Sequence, residues 1–309
     1  MSGFIPSKTL LLVMVLVVVA GIGMVAWPPA PVPLPMIAPS VTASVAKPAE
    51  SGPAQRIVAL APHIVELLYA IGAGERLVGA TEYADFPEDA KKLPRIGSYA
   101  GLQIERILEL QPDLVLAWKT GNSAADLARL EQYGLRIVYS DLHQLEDLGK
   151  EMRMLGELTA TQAAAERLAE QYETRLSVLR EHYRGKRPVR VFYELWSRPL
   201  TTVAANAWPQ QQLHLCGTEN PFDKGTDDYP QVGLEQVVVS APEVIIQPTE
   251  HSMTSPDAVN WSAWPLIPAV RLQAILHPDS DKAHRMTPRT LDVLEQMCAE
   301  IDQVRQRLP

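Results

Sequence analysis

Aromatic residues recur near the predicted ends of β-strands in both halves of the chain. Tyr83, Tyr99, Trp118, Trp196 and Tyr229 all occupy such places, although any one of them is more often a packing residue than a ligand contact. Their rings offer large apolar faces, and the tyrosines and tryptophans add a polar group at one end. In a chain that is only 6% aromatic, five rings at one topological edge predict a pocket for a large flat ligand with polar fringes.

Titratable residues, by contrast, form no local pattern for catalysis or metal binding. The seven histidines are scattered without the spacing of metal ligands, and the sequence contains no phosphate-binding glycine loop and no nucleophile elbow. Catalysis needs a base and a nucleophile within reach of each other. The sequence therefore favours a binding protein without a cofactor. The rival from another class is a metal-dependent hydrolase or chelatase-like enzyme in the same cleft.

Predicted strands alternate with helices on both sides of a long central helix. The buried strands are predicted at Arg56–Leu60, Arg76–Ala80, Leu114–Ala117, Leu135–Tyr139 and Val189–Leu195. This alternation predicts parallel sheets, in which ligands bind at the carboxyl ends of the strands. Near the C-terminus, Asp279 to Arg289 is predicted as a polar loop that precedes a closing helix.

The central helix is predicted from Thr159 to Lys186. Apolar residues recur at spacings of three and four from Ala165 to Tyr183, and Glu166, Arg167, Glu170, Glu173 and Arg180 lie on the solvent side. A helix of this length spans about 40 Å. Because no residue between Thr161 and Arg184 is a kink former, we expect little change in the arrangement of its flanking regions when a ligand binds.

A short repeat relates the two sides of this helix. Residues 104–117 align in register with residues 234–247, so that Glu105 matches Glu235 and Pro112 matches Pro242. Each segment is typical of a short amphipathic helix, a proline that ends it, an acidic residue and a buried strand. The matched glutamates each lie near the start of a helix, where the helix dipole alone favours an acidic side chain.

The repeat and the central helix predict two Rossmann-like α/β lobes joined by one long α-helix, with a ligand cleft between the lobes. The predicted segments are a signal peptide or N-terminal membrane anchor at 1–27, a Pro/Ala-rich tether at 28–55, an N-terminal lobe at 56–158, the bridging helix at 159–186 and a C-terminal lobe at 187–309.

The N-terminus and the charge indicate an exported protein that does not bind nucleic acid. Lys8 precedes an apolar run that ends at Trp27, a pattern at the border between a signal peptide and a membrane anchor. Whether this segment is cleaved stays open. The following proline-rich stretch cannot form a packed core and is predicted to be an extended tether. A formal net charge of -8 argues against a nucleic-acid partner, which would require a basic face.

The two cysteines, Cys216 and Cys298, both follow the central helix. In a reducing compartment they would be free core thiols, whereas an even pair in an exported chain predicts a disulfide. Such a bond would stabilise the C-terminal lobe alone.

Several motifs resemble those of the periplasmic cobalamin-binding subunits of ABC importers, which are class III substrate-binding proteins with lobes bridged by a single helix. The resemblance covers Arg56 to Leu308 and rests on Ala61–Leu67, Glu82–Pro87, Gly101–Arg106, Pro112–Trp118, the Trp196–Leu200 turn and Thr287–Arg289. The first and last motifs also occur in haem and siderophore receptors of the superfamily. The Tyr83 loop, Trp118 and the Trp196 turn are more specific to cobalamin.

The resemblance implies a function and a set of site residues. It implies capture of cobalamin or a related corrinoid in the periplasm and delivery to a permease dimer in the inner membrane by a monomeric receptor. The corrin site would be lined by Tyr83, Tyr99, Trp118, Trp196 and Tyr229, with Asp281 and Arg285 at its amide fringe. Tyr99 and Tyr229 stand where the family often has tryptophan. Cys216 and Cys298 match the family disulfide, and Glu105 and Glu235 match the glutamates that dock on permease arginines.

His63 leaves two alternatives open. It starts the first helix at the edge of the predicted cleft. The simpler interpretation is a helix-start histidine with its ring in water. The other is a ligand to cobalt, or to haem iron if the protein is a haem receptor, which is the alternative to cobalamin within the superfamily.

Overall fold

Two four-stranded parallel sheets, one in each half of the chain, organise the described residues of the computed structural model, which are 52–225, 227–250 and 255–309. The elements of the N-terminal lobe are β1 (Ile57–Ala59), α1 (Pro62–Ala70), β2 (Leu77–Ala80), β3 (Gly97–Ser98), β4 (Gly101–Leu102), α2 (Ile104–Glu109), β5 (Leu114–Trp118), α3 (Ala124–Gln132), β6 (Ile137–Ser140) and α4 (Asp147–Thr159). Its sheet has the order β2-β1-β5-β6, and all of its pairs are parallel.

The bridging helix and the C-terminal lobe follow. They comprise α5 (Gln162–Tyr183), β7 (Val189–Tyr193), β8 (Trp196–Ser197), β9 (Leu200–Thr201), α6 (Trp208–Leu215), β10 (Thr218–Glu219), α7 (Leu234–Ser240), β11 (Val244–Ile246), α8 (Pro268–Arg271), β12 (Ile275–Leu276), α9 (Ser280–His284) and α10 (Thr290–Arg307). The second sheet has the order β10-β7-β11-β12, again with parallel pairs. The predicted fold class, two α/β lobes joined by one helix, is confirmed.

The signal peptide or anchor predicted at 1–27 lies outside the described residues, as does the predicted tether up to residue 51. Across residues 52–225, 227–250 and 255–309, none of the helices is both long and apolar enough to span a bilayer.

The bridging helix α5 is shorter than the predicted stretch. Thr159 closes α4 instead of opening α5, because Ala160 adopts a left-handed conformation with φ 51° and separates the two helices. The helix α5 packs against α4 at close range. A Cβ added at Gly156 would lie 2.5 Å from the Cβ of Ala165, so this crossing requires glycine. The predicted apolar stripe is buried at Ala165, Tyr172, Leu176 and Tyr183 and partly buried at Leu168 and Leu179.

The predicted repeat extends to the residues that hold the strands in place. In the N-terminal lobe, the carboxylate of Asp113 accepts hydrogen bonds from the backbone N–H of Gln55 at 2.7 Å and of Arg56 at 3.1 Å. In the C-terminal lobe, Glu243 accepts one from the backbone N–H of Arg190 at 2.9 Å. In both lobes an acidic residue just before the strand of the repeat therefore fixes the start of the neighbouring central strand.

The same repeat uses two left-handed residues. Gln111 and Ala241 precede the aligned prolines and have φ values of 47° and 48°. The guanidinium of Arg56 donates to the carbonyl of Gln111, and that of Arg190 donates to the carbonyl of Ala241, each at 3.2 Å. Non-glycine residues adopt this conformation rarely, so its recurrence at equivalent positions shows that the lobes share a structural unit.

Apolar packing joins the lobes. One buried cluster contains residues of both lobes and of α5, and each lobe has a second cluster on the other face of its sheet. Cys216 and Cys298 form a disulfide between the end of α6 and α10. The predicted disulfide is therefore confirmed, and it lies within the C-terminal lobe.

The interpretation of Asp279 to Arg289 as a polar loop is wrong. Residues 280–284 form α9, because Asp279 accepts a hydrogen bond from the backbone N–H of Lys282 at 3.1 Å and caps the helix. This helix places Asp281 and Arg285 one turn apart, where they face the N-terminal lobe.

Candidate functional site: the cleft between the lobes

A cavity of about 260 Å³ opens between the lobes. The side chains that line it come from both sheets, beyond the carboxyl ends of their strands. They are Pro62, His63, Tyr83, Asp85 and Trp118 of the N-terminal lobe and Glu250, Ser280, Asp281, His284, Arg285 and Met286 of the C-terminal lobe. Five of the residues predicted for the ligand site therefore meet here, namely His63, Tyr83, Trp118, Asp281 and Arg285.

Trp118 is the last residue of β5, and its neighbours hold it firmly. The side chain of Asn122 accepts a hydrogen bond from the backbone N–H of Trp118 at 2.7 Å and donates one to the carbonyl of Leu60 at 2.9 Å. A Cβ at Gly121 would lie only 1.9 Å from the indole ring. The half-buried ring thus rests on a glycine in the loop that follows its own strand.

His63 is buried beneath Trp118. Its ring meets the indole edge-on at a centroid distance of 5.5 Å, and its Nε2 lies 3.2 Å from Ser140 Oγ. Burial lowers the pKa of His63 to about 3, so the imidazole is neutral. The interpretation of His63 as a helix-start histidine with its ring in water is wrong, because only 4% of the residue is exposed. Its burial depends on Trp118 at the end of β5 and Ser140 at the end of β6.

Trp196 lines a neighbouring cavity of about 230 Å³ in the C-terminal lobe. It belongs to the β8–β9 hairpin, and 64% of it is exposed. The predicted ligand contact Trp196 is therefore exposed to solvent on a hairpin of the C-terminal lobe. Trp118, by contrast, belongs to the β-sheet of the N-terminal lobe.

Glu194 fixes this hairpin from behind. The residue is 3% exposed, and its carboxylate accepts four hydrogen bonds, from Ser197 Oγ at 2.6 Å, Val259 N at 3.1 Å, Trp261 Nε1 at 2.6 Å and Gln247 Nε2 at 2.8 Å. Sequence reasoning missed this residue. An acidic residue directly after the apolar run Val191–Tyr193 was the only available signal.

The two predicted polar contacts, Asp281 and Arg285, belong to a larger ionic group. We name it the interlobe ion-pair cluster, and its members are Glu66, Asp85, Asp281, Arg285 and Arg289. Arg285 Nη1 lies 2.9 Å from Glu66 Oε1 and 2.7 Å from Asp85 Oδ1, and its Nη2 lies 3.0 Å from Asp281 Oδ1. Arg289 binds both carboxylate oxygens of Glu66 at 2.7 and 2.9 Å.

These contacts shift the pKa values of Arg285 and Asp85. Hydrogen bonds to Asp85 and Glu66 raise the pKa of Arg285 despite its burial, and Arg285 lowers the pKa of Asp85 against the opposing effect of burial. Both groups are therefore charged at neutral pH. Glu66 and Arg289 lie within the two motifs that the sequence assigned to the fold alone, and Glu66 is a lone acid between apolar residues.

The predicted tyrosines occupy less enclosed positions. Tyr83 lines the cavity with a left-handed backbone at φ 64°, and 66% of it is exposed. Tyr99 lies at the tip of the β3–β4 hairpin and is 80% exposed. Tyr229 is 44% exposed. Neither Tyr99 nor Tyr229 is among the residues that line the cavity, so their predicted ligand contacts stay predictions.

One further side chain of the cleft, His284, bears on metal binding. His284, which sequence reasoning missed, lies with its Nε2 2.9 Å from the hydroxyl of Tyr193, and burial lowers its pKa to about 4. Within the described part of the chain, no three His, Cys, Asp or Glu side chains are grouped so that they could hold a metal ion.

The predicted docking residues Glu105 and Glu235 lie in the first turns of α2 and α7, which are equivalent helices of the two lobes. Glu105 is exposed and lies 3.7 Å from the guanidinium of Arg129. The side chain of Glu235 is also exposed. Their predicted role stays a prediction.

Comparison with known sequences and structures shows to which protein family the chain belongs. The family model for the periplasmic binding protein matches residues 57–280. A vitamin B12-binding protein of Vibrio campbellii is 39% identical over 258 residues, which cover 83% of this chain and 93% of that protein. The crystal structure of the periplasmic vitamin B12-binding protein of Vibrio cholerae has a TM-score of 0.76 and 37% identity, and the match covers 82% of this chain and 98% of that one.

A periplasmic heme-binding protein from Roseiflexus sp. RS-1 shares the fold, with a TM-score of 0.72 at 24% identity over 82% of this chain and all of that one. The resemblance that the sequence motifs indicated is therefore confirmed at the level of the family: the chain belongs to the periplasmic binding proteins.

Proposed function

We propose that this protein is a periplasmic receptor that captures cobalamin or a related corrinoid and delivers it to the permease of an ABC transporter. The observation that carries the proposal is the pair of tryptophans at the strand ends of the two lobes, Trp118 and Trp196, in a chain that matches vitamin B12-binding proteins over most of their length. Aromatic faces suit the broad corrin ring, and the polar side chains beside them suit its amide fringe.

The state of the two cleft histidines gives no support to a haem receptor that uses histidine as its iron ligand. A haem receptor offers an axial ligand to the iron, but Nε2 of His63 lies against Ser140 and Nε2 of His284 lies against Tyr193. Cobalamin brings its own axial ligands to cobalt and needs none from the protein. The likeness to the heme-binding protein supports the shared fold and nothing more specific.

The same cleft offers little for catalysis, which supports a receptor without enzymatic activity. His63 and His284 have strongly lowered pKa values, so neither is poised near neutral pH as a general base. Arg285 and Asp85 are committed to ion pairs. The remaining lining combines aromatic and apolar side chains with Glu250, Ser280 and Asp281, a mixture that serves recognition of a ligand with an apolar face and a polar fringe.

The partner in the membrane would be a two-subunit permease that reads one glutamate on each lobe. Glu105 and Glu235 start equivalent helices, and the equivalence matches the two-fold symmetry of such a permease. Arginine-bearing pockets would suit these carboxylates. A monomeric receptor fits this arrangement, since each lobe then meets one permease subunit.

The test of the proposal is calorimetric titration of the purified protein with cyanocobalamin and, separately, with haemin. We expect tight binding of cyanocobalamin, with a visible spectrum altered from that of the free vitamin. Each of Trp118→Ala and Trp196→Ala should weaken binding at least tenfold, because a well-buried aromatic contact contributes about 1–3 kcal/mol.

Trp264→Ala is the matched control. Trp264 is an exposed tryptophan of the C-terminal lobe, with 37% of the residue accessible to solvent, and is not among the residues that line either cavity. Its variant should bind cyanocobalamin like the wild type. Unchanged affinity in both cleft variants, or preferential binding of haemin, would contradict the corrinoid proposal.

A further inference from the structure

The interlobe ion-pair cluster joins the two lobes at the cavity itself. Asp85, which follows β2, and Glu66 in α1 belong to the N-terminal lobe, whereas Arg285 and Arg289 belong to the C-terminal lobe. Each hydrogen bond between these pairs links residues at least 200 positions apart in the sequence. Asp281 differs, because it lies in α9 of the C-terminal lobe and pairs with Arg285, the residue that follows this helix.

Burial gives this cluster its strength. The side chain of Glu66 is 3% exposed and that of Arg285 is 12% exposed. The guanidinium of Arg289 stacks on the ring of Phe86, a residue of the opposite lobe, at 3.7 Å. Buried, bidentate pairs between arginine and carboxylate hold a narrow range of geometries, and leaving either partner alone in such a place is costly.

The covalent connection lies elsewhere. The bridging helix α5 runs unbroken for 22 residues and contributes none of the residues that line the cavity. It limits bending at the connection between the lobes. It cannot by itself fix the distance between Trp118, at the carboxyl end of β5, and Trp196, beyond the end of β7, since both lie outside the helix.

We infer that Glu66 and Arg289 are positioning residues that, together with Asp85 and Arg285, set the separation of the two lobes before a ligand arrives. Glu66 and Arg289 are not among the residues that line the cavity, so they act on binding through the spacing of its walls. Arg285 joins the cavity to the cluster and is held by three carboxylates.

The lobe separation can be measured directly in the empty protein. Spin labels at Tyr133→Cys in the N-terminal lobe and Leu266→Cys in the C-terminal lobe would report it, because both side chains are exposed and the two native cysteines are bonded to each other. We expect one narrow distance distribution for the wild type. The double variant Glu66→Gln with Asp85→Asn removes both N-terminal carboxylates from the cluster and should broaden that distribution by several ångströms.

Asp281→Asn is the matched control for the distance measurement. It removes a carboxylate from the same arginine but cuts no bond between the lobes, so the distribution should stay narrow. If the double variant folds poorly, Glu66→Asp keeps the charge while its shorter side chain cannot reach both arginines, and an intermediate broadening is expected. A narrow distribution in the Glu66 variants, or equal broadening in the control, would overturn the inference.

The effect on ligand binding rests on the proposed function, and it needs a separate readout. We expect the double variant to bind cyanocobalamin about tenfold more weakly, because part of the binding free energy must then restore the lobe spacing. Broadening without any loss of affinity would overturn the positioning role. Failure of the wild type to bind cyanocobalamin would remove the proposed function while leaving the distance result intact.

Discussion

The two lobes share one structural repeat, yet they present their tryptophans in different ways. Trp118 lies on β5 itself, above the buried His63 and against Gly121. Trp196 projects into solvent on a hairpin that is held from behind by Glu194. The N-terminal wall of the cleft is therefore formed by core packing, whereas the C-terminal wall depends on a hydrogen-bonded anchor.

The two lobes also differ in how many hydrogen bonds a buried glutamate accepts. Glu194 of the C-terminal lobe accepts four hydrogen bonds. Glu151 of the N-terminal lobe, which is 6% exposed, has one carboxylate oxygen without a hydrogen-bond partner among the described residues. Burial raises the pKa of Glu151 to about 7, against a smaller lowering by its hydrogen bond with Ser140. The C-terminal lobe thus contains a buried carboxylate that accepts four hydrogen bonds, and the N-terminal lobe contains a buried carboxylate whose pKa is near neutral.

The largest effect is expected from removing the anchor of the C-terminal wall. Glu194→Ala leaves four donors without their acceptor and should lower the free energy of unfolding by about 3–4 kcal/mol. Asn122→Ala, which removes the two bonds that hold the Trp118 loop, should cost about 1–2 kcal/mol. Urea denaturation of both variants measures this difference.

Glu194→Gln serves as the matched variant for this comparison. It keeps the shape of the side chain but replaces one acceptor oxygen with an amide donor. Its free energy of unfolding should therefore fall between those of the wild type and Glu194→Ala. Equal destabilisation by Glu194→Ala and Asn122→Ala would break the distinction between the two walls.

The second prediction concerns the titrating carboxylate of the N-terminal lobe. The pKa of Glu151 is about 7 in the folded protein, against 4.5 as its ordinary value. Between these values the folded state binds more protons than the unfolded state, so the contribution of Glu151 to stability falls as pH rises from about 4.5 to 7. At pH 8 the loss amounts to as much as about 3 kcal/mol, and Glu151→Gln should recover part of it.

Comparison of wild type and Glu151→Gln by denaturation at pH 5 and pH 8 isolates this group. Other groups change with pH as well: the lowered pKa values of His63 and His284 make the protein less stable below their ordinary value of 6.5. Both proteins share these histidines, so they cancel in the difference. A stability difference between the two proteins that does not change with pH would show that Glu151 does not titrate in this range.

The third prediction separates packing from ligand contact at Trp118. In Gly121→Ala the new methyl group overlaps the indole ring, which must move because the backbone loop is held by Asn122. We expect a shift in tryptophan fluorescence and about tenfold weaker binding of cyanocobalamin, with stability lowered by about 1 kcal/mol. Gly52→Ala, where a Cβ meets no atom within 4 Å, should change neither the fluorescence nor the affinity for cyanocobalamin.

Features with a local period were predictable from the sequence. The α2–β5 and α7–β11 units followed from the spacing of Glu105 and Pro112 against Glu235 and Pro242. The buried stripe of α5 followed from its spacings of three and four. The end of α4 was not predictable, because alanine is a good helix former and only the close crossing with α5 accounts for the turn at Ala160.

Features that depend on distant partners were also missed. Glu66 and Arg289 are 223 positions apart, so no window of sequence contains their pairing. The burial of His63 depends on Ser140, 77 positions away. The helix α9 was overlooked for a different reason, since Asp279 in a polar stretch suits a loop as well as a helix cap.

The smallest difference between the lobes is expected in the transport defects caused by replacing the exposed glutamates at the starts of α2 and α7. Replacing both Glu105 and Glu235 with alanine should leave cyanocobalamin affinity intact and impair delivery to the permease, because charges at an interface rim set orientation and association rate. The single variants should impair transport to nearly equal extents. Glu105 has Arg129 at 3.7 Å, but both side chains are at least half exposed, and such a surface pair contributes only about 0–1 kcal/mol.

Delivery is measured as transport of cyanocobalamin by vesicles that contain the reconstituted permease, and affinity is measured by calorimetry on the same variants. Glu109→Ala is the control, since Glu109 is exposed on α2 but lies in its last turn and outside the pair of matched positions. Normal transport by the double variant would remove the docking role. A much larger defect in Glu235→Ala than in Glu105→Ala would mean that the permease distinguishes the lobes at these positions, where the repeat makes them equivalent.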